Sequence, residues 1–315
     1  MLSLIRRVAL IALPIVALAT AIPATASAAP ESEAGNAPVY LNHTYGLFSE
    51  ATMKALQTNA YLKDTFGTVE TRTTTRPDLT YTGTYVYGRE TYLEAFPDGT
   101  FGLGTDFMGL ALGDEKAGGI ESVQARWARE FGADGVSPVD MISRNVNGVN
   151  VPWFKTVNPK WAETSPTTFV WNMEYVPDAG KDTPRNRREG LVTKYDPSKL
   201  VENIQAVVYG LSDSDRANFR RTLAAVGWRI VNTGDGFTAF TPIDNGTSRV
   251  IHVTPAKPGR QGLLGLVWKL NRTPARHVEQ LGDAVLEVGV HRLPFATLWF
   301  VPPTAADQAA VIPTR

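Results

Sequence analysis

His43 and Glu94 are side chains whose type and setting could do chemistry. His43 stands inside VYLNHTYGLF (residues 39–48) and Glu94 inside ETYLEAFPDG (residues 90–99). Each places an ionisable group at the centre of a run that reads as a β-strand, where apolar side chains normally pack. Glu174 holds the same kind of position in TTFVWNMEYVP (residues 167–177). An isolated buried carboxylate is costly, and a cation or a set of donors relieves that cost. One imidazole and two carboxylates, with water, could hold a divalent metal such as Zn, Mn, Fe or Ni and leave positions open for a reaction. The plainer alternatives are a core histidine bonded to a carbonyl, Glu94 paired with Arg72 or Arg89, and Glu174 paired with Lys155.

Residues two apart on a strand share a face. His43 therefore goes with Leu41, Tyr45 and Leu47, and Glu94 with Tyr92 and Phe96. Glu174 goes with Val170, Asn172 and Val176. All three ionisable groups are expected to face an apolar interior, which makes Tyr92, Phe96 and Asn172 candidate contacts for a bound small molecule. Trp153, Trp161 and Trp171 could line a pocket for a flat or apolar ligand. Tyr81, Tyr85 and Tyr87 share a strand face, a pattern more common in sheet packing.

The elements that must position these groups follow one order. A strand at 39–48 is followed by a helix over 49–66, in which Ser49 can cap and Met53, Leu56, Tyr61 and Leu62 can share a face. Three strands follow, ending at Pro97-Asp98-Gly99. A second pass has a strand at 107–113, the amphipathic helix GIESVQARWAREFG, a hairpin about Asn147-Gly148 and a closing strand around Glu174. A third pass begins at NIQAVVYGL, with Ser212 or Asp213 capping its helix. A fourth, compressed pass begins at LLGLVWKL, with a helix expected near TPARHVEQLG, and so His277 on a helix. The expected organisation is an N-terminal pair of units over residues 39–177, a linker or insertion at 178–202, a C-terminal pair over 203–303 and a tail at 304–315. The C-terminal half carries His252, His277 and His291 but no matching strand carboxylates, and reads as structural.

Ahead of these units, MLSLIRR is a basic start, an apolar run follows, and Ala26-Ser27-Ala28 offers a cleavage site. Residues 1–28 are therefore expected to be a cleavable signal peptide, residues 29–38 a linker, and the mature protein secreted without a stable membrane anchor. The absence of cysteine excludes disulfides, thiolate ligands and a lipid-modified N-terminus. Lys plus Arg and Asp plus Glu both number 31, so no basic excess favours nucleic acid. The arginine-rich TPRNRREG reads as a solvated loop. Hydrolase elbows, phosphate loops and dinucleotide fingerprints are absent.

The repeated β-α-β-β-β order resembles the glyoxalase-like, or vicinal-oxygen-chelate, superfamily. VYLNH, YTGTYVYGRETYLEAFP and VWNMEY also resemble an uncharacterised group of secreted bacterial proteins. The resemblance implies an α+β fold in which β-α-β-β-β units form paired half-barrel sheets. It also implies metal ligands on the first and last strands of adjacent units: His43, Glu94 and Glu174. The remaining first-strand position, around Leu110 to Leu112, offers no ligand, a departure from the superfamily pattern. Two functions are expected from this combination. One is small-molecule binding in a barrel cleft. The other is a metal-dependent lyase, isomerase or dioxygenase acting on a small oxygen-rich molecule.

Overall fold

The computed structural model describes residues 37–176, 194–244, 246–290 and 293–311. The expected signal peptide, most of the 29–38 linker, the arginine-rich stretch of the 178–202 insertion and His291 lie outside the described residues.

Two curled, mixed β-sheets make up the fold, each of eight strands. The first contains β1 (Val39–Phe48), β2 (Thr68–Thr75), β3 (Thr80–Tyr87), β4 (Tyr92–Pro97), β5 (Met108–Asp114), β6 (Asp140–Val146), β7 (Val149–Val157) and β8 (Thr168–Tyr175). Their spatial order is β2-β3-β4-β1-β5-β8-β7-β6. β1 runs parallel to β4, β5 runs parallel to β8, and the central β1–β5 pair is antiparallel. The edge strands β2 and β6 approach each other, so the sheet bends into a cup. The second sheet contains β9 (Val201–Leu211), β10 (Arg229–Thr233), β11 (Gly236–Phe240), β12 (Val250–Pro255), β13 (Gly262–Leu270), β14 (His277–Leu281), β15 (Ala284–Val288) and β16 (Phe295–Trp299). It repeats the spatial order as β10-β11-β12-β9-β13-β16-β15-β14.

Helices α1 (Glu50–Thr58), α2 (Gly119–Phe131) and α4 (Asp213–Ala225) follow the first strands of three passes, and α3 (Lys160–Thr164) is a short turn before β8. Ser49 accepts from the Thr52 amide and Ser212 from the Asp215 amide, the expected caps. The single helix expected over 49–66 is instead broken at Asn59. Its extended backbone ends α1, and its side chain accepts from Leu62 N at 2.8 Å to start a separate turn over Leu62–Phe66. One apolar core joins the two sheets through these helices. Trp127 of α2 donates to the Thr222 carbonyl at 3.1 Å, and Trp228 donates across the same junction to Val39 O at 2.9 Å.

The helix expected near TPARHVEQLG does not form. Residues 277–281 are strand β14, hairpinned to β15 about Gly282-Asp283, so His277 lies on a strand. Alternating burial along HVEQL is the reason: the run fits a half-covered strand better than a helix face. With no helix after β13, that strand meets β16 antiparallel, where the other passes place first and last strands in parallel. Helix α1 of the first pass packs against β14 instead. The 304–315 tail contains a further helix, α5 (Ala305–Val311).

Gly282 lies where α1 meets this hairpin. Its φ is +66°, and a Cβ there would stand 2.4 Å from Thr52 N. Gly99 has a φ of +81° but open space around it. Gly99→Ala should cost about 1 kcal/mol through the left-handed backbone alone. Gly282→Ala should cost at least about twice that, because backbone as well as φ must give way. Urea unfolding of both variants measures the difference, and equal losses would mean that α1 does not rest on the hairpin.

Candidate functional site

The concave face of the first sheet holds a cavity of about 150 Å³. A cavity of that order in an apolar core accommodates benzene. Its wall takes alternate residues from the central strands: His43 and Tyr45 of β1, Tyr92, Glu94 and Phe96 of β4, and Phe169, Trp171, Met173 and Tyr175 of β8. Gly109 of β5 makes room for the Tyr45 ring, which occupies the place of a Cβ at that position, only 1.9 Å from where it would sit.

A β-bulge sets the direction of His43. The β1–β5 register shifts between Leu41 and His43. Leu41 consequently joins the helix-side core while His43, two residues on, faces the cavity. The simple parity that groups Leu41 with His43 fails here, because a bulge adds a residue to one strand of the pair. The His43 ring stacks on Tyr92, with centroids 4.4 Å apart, and meets Trp171 edge-on at 5.6 Å. Its Nδ1 donates to Asn42 Oδ1 at 2.8 Å, which leaves Nε2 unprotonated. Nε2 faces Glu94 Oε2 at 3.7 Å.

Burial sets the charge of this pair. Desolvation lowers the His43 pKa to about 3, so the imidazole is neutral at ordinary pH. Desolvation raises Glu94 to about 7, against the opposing influence of the Tyr85 hydroxyl and the Arg72 guanidinium. Glu94 thus changes protonation near neutrality beside a histidine that stays neutral. Two further polar atoms in the wall, Trp153 Nε1 and Trp171 Nε1, are buried without a hydrogen-bond partner. The indole nitrogens can only donate, so these positions suit a ligand carrying acceptor oxygens.

Glu174 is not part of this cavity, and neither is Asn172. Even-numbered positions on β8 face the helices: Val170 joins the helix-side core, and Glu174 Oε2 accepts from the Ile120 amide at 3.1 Å. That amide belongs to the first turn of α2, whose N-cap is Gly118 and which has no side-chain cap of its own. Glu174 supplies the missing acceptor and a negative charge at the helix N-terminus. Lys155 Nζ lies 3.8 Å from its other oxygen. Asn172 donates to Asp114, and desolvation raises the Asp114 pKa to about 7. The apolar strand neighbours of Glu174 point to the barrel interior only if one side of the strand is covered. Here both sides are covered, so apolar neighbours do not say which side a residue faces.

The residues present do not fit a resident metal ion. His43 and Glu94 are close enough to share one, but the residue paired with His43 on β5 is Ala111, and the cavity face of β8 offers Trp171, Met173 and Tyr175. No group of three His, Cys, Asp or Glu side chains suited to an ion gathers among the described residues. Of the tryptophans expected at a pocket, Trp153 and Trp171 line it, whereas Trp161 is spent on the Thr222 hydroxyl at 3.0 Å. Tyr81 and Tyr85, read from sequence as sheet packing, line the cavity as well, as does Arg72. Alternation along β3 marks their shared face, but only the bend of the sheet turns that face inward.

The fold and cavity define a two-sheet α+β protein with an aromatic-walled cavity in its first sheet. Residues 41–292 match the model of a family described as "Family of unknown function (DUF5829)", and the chain belongs to that family. No curated protein matches. Among solved structures, a hypothetical protein from Staphylococcus aureus is similar at 10% identity and a TM-score of 0.48, over 78% of this chain and 97% of that one. A mutant of 4-hydroxymandelate synthase from Streptomyces coelicolor is similar at 12% identity and a TM-score of 0.33, over 69% of this chain and 63% of that one. A xylose isomerase-like TIM barrel/4-hydroxyphenylpyruvate dioxygenase fusion protein is similar at 8% and 0.36, over 70% and 33%. The chain thus spans less than two thirds of the latter two proteins. With every TM-score below 0.5, none of these likenesses carries an activity to this chain.

Glu94 makes stability depend on pH with a definite sign. A carboxyl whose folded pKa lies above its unfolded value stabilises the fold fully below pH 4.5 and loses that contribution as pH rises through about 7. A tenfold difference in proton affinity between the folded and unfolded chain corresponds to about 1.4 kcal/mol. Glu94→Gln should therefore melt higher than the parent at pH 8, and the gap should close towards pH 4.5. Thermal melts across that range check it; a constant gap would show that Glu94 is ionised in the fold throughout.

Proposed function

We propose that this protein binds a small one-ring aromatic molecule bearing acceptor oxygens in the cavity of the first sheet, without a resident metal. The observation that carries this reading is the wall itself: stacked and edge-on rings around a cavity of about 150 Å³, with the neutral His43 beside Glu94. Tyr92 and Phe96 form part of that wall. A ring in the cavity would replace solvent by offset and edge contacts, each worth about 0.5–1.5 kcal/mol. His43 Nε2 would accept from a ligand hydroxyl, and the unpartnered indole N–H groups would donate to its oxygens. The glyoxalase-like ancestry belongs to the same reading, with a fourfold β-α-β-β-β repeat whose last unit has lost its helix.

The probe is 4-methylphenol, followed by quenching of Trp153 and Trp171 fluorescence and by melting temperature. Saturable binding of one equivalent is expected, with His43→Ala and Tyr92→Ala each weakening it at least about tenfold, or about 1.4 kcal/mol. Glu174→Ala should lower the melting temperature yet leave binding unchanged. Addition of Zn or Mn should not shift the melt. Binding that survives Tyr92→Ala would overturn the reading, and a metal-induced rise lost in both His43→Ala and Glu94→Ala would replace it with the metal-dependent enzyme.

A second reading rests on the Glu94–His43 pair alone. A carboxyl titrating near neutrality beside a neutral imidazole is suited to moving a proton on a bound substrate, as a lyase or isomerase requires. In that case Glu94→Gln retains binding and loses turnover.

The protein is further proposed to act outside the cytoplasm, on the strength of the basic start, apolar run and Ala26-Ser27-Ala28 site. N-terminal sequencing of protein recovered from culture medium should begin near Ala29. A start at Met1 would refute cleavage.

A further inference from the structure

The two cups differ in what fills them. In the first sheet the concave face is a cavity, whereas in the second it is covered by α5, which lies against β12 and β9. Val311 of α5 is buried with Ala206, Val208, Leu264, Val267 and Trp299, and Ala310 borders the same cluster. Asp307 is 1% exposed, although it is a carboxylate on a short surface helix. Its Oδ2 accepts from Arg260 Nη2 at 2.6 Å, and from the Thr304 amide and hydroxyl at 2.7 Å each. Arg260 also donates to the Pro302 carbonyl. Also on this sheet, His252 is buried and bonded through Nδ1 to Thr238 Oγ1 at 3.0 Å, and Asp307 partly offsets the lowering of its pKa by burial. Trp299 Nε1 is buried with no hydrogen-bond partner.

Helix α5 therefore presents two things to this cup: aliphatic side chains on its apolar surface and one carboxylate to Arg260. A helix of seven residues is too short to be stable alone, so its order depends on the surface it covers. We infer that the cup of the second sheet is a self-occluded ligand site, in which an aliphatic carboxylate takes the place of α5, its chain on Ala206, Val208, Leu264 and Trp299 and its carboxylate on Arg260. The ligand reproduces the chemistry that the helix already supplies. This site does not depend on the reading of the first cavity.

Because ligand and helix compete, the apparent affinity is reduced by the fraction of molecules in which α5 is seated. A change that loosens α5 without touching the cup should raise it. The test is calorimetric titration of the full chain with decanoate, below its micellar range. Val311→Asn should bind decanoate at least about tenfold more tightly than the parent, equivalent to about 1.4 kcal/mol. Decanol, which has the same chain and no charge, should gain far less. Adding Arg260→Ala to Val311→Asn should abolish the gain, whereas adding Tyr92→Ala, in the first cavity, should leave it intact. A lower melting temperature with no gain in affinity would overturn the proposal and leave α5 as a packing element. Equal binding of decanol would also overturn it, since that is mere exposure of apolar surface. If Val311→Asn does not fold, Val311→Ala is titrated in its place; failure of both to fold makes α5 part of the core and likewise ends the proposal.

Discussion

Burial of both faces of the first sheet is the constraint on which the site depends. Its convex face lies under the helices, with Leu41, Leu93, Leu110 and Val170 in the shared core. Its concave face is closed in by rings from β1, β3, β4 and β8. A polar side chain on either face is therefore desolvated and needs an answer. Glu174 finds one in the uncapped N-terminus of α2. Glu94 has no such partner at full strength, so its proton is held up to about pH 7, and His43 answers the same problem by staying neutral. The raised pKa of Glu94 and the neutrality of His43 thus both follow from burial on the concave face.

The same bend is made twice, with a glycine at each centre. Tyr45 lies over Gly109 in the first sheet, and Trp299 lies over Gly265 of β13 in the second, its ring 2.2 Å from where a Cβ would sit. A flat ring can lie against the strand only where no side chain stands. From that shared geometry the halves diverge: one cup keeps its space, and the other receives α5. Junction contacts hold the two sheets in one body. The Arg249–Glu90 pair is buried at 2.5 Å, and Asn203 accepts from the Glu90 and Thr91 amides. Desolvation offsets much of the attraction within such a buried pair, so its net contribution to stability is small.

Much of the fold is legible in the sequence. Alternation locates β1, β3, β4 and β8, and Asn147-Gly148 marks the β6–β7 hairpin, where φ is +53° and +85°. Stripes at Ile120, Val123 and Trp127 and capping serines locate α2, α1 and α4. These signals are local: a strand period, a helix period, a turn that needs positive φ. The failures are local signals overruled by partners distant in sequence. HVEQL forms a strand because a hairpin with β15 is available and α1 already covers the neighbouring space. The stretch 49–66 splits because Asn59 bonds to the next turn instead of continuing the helix, and Asn59 Nδ2 also reaches Glu279 across the junction at 2.9 Å.

For the site, residue types in the sequence are enough to mark His43 and Glu94 as ionisable groups on apolar strands. Period-two alternation also groups Tyr92 and Phe96 correctly with Glu94. Which side of the sheet each group faces is beyond that reach, because alternation separates two faces without naming them. The bulge at Leu41/His43 and the helix covering β8 decide it, sending His43 into the cavity and Glu174 to the N-terminus of α2. Those choices depend on strand register and on a helix N-terminus more than fifty residues from Glu174 in the chain, so they exist only once the sheets have closed.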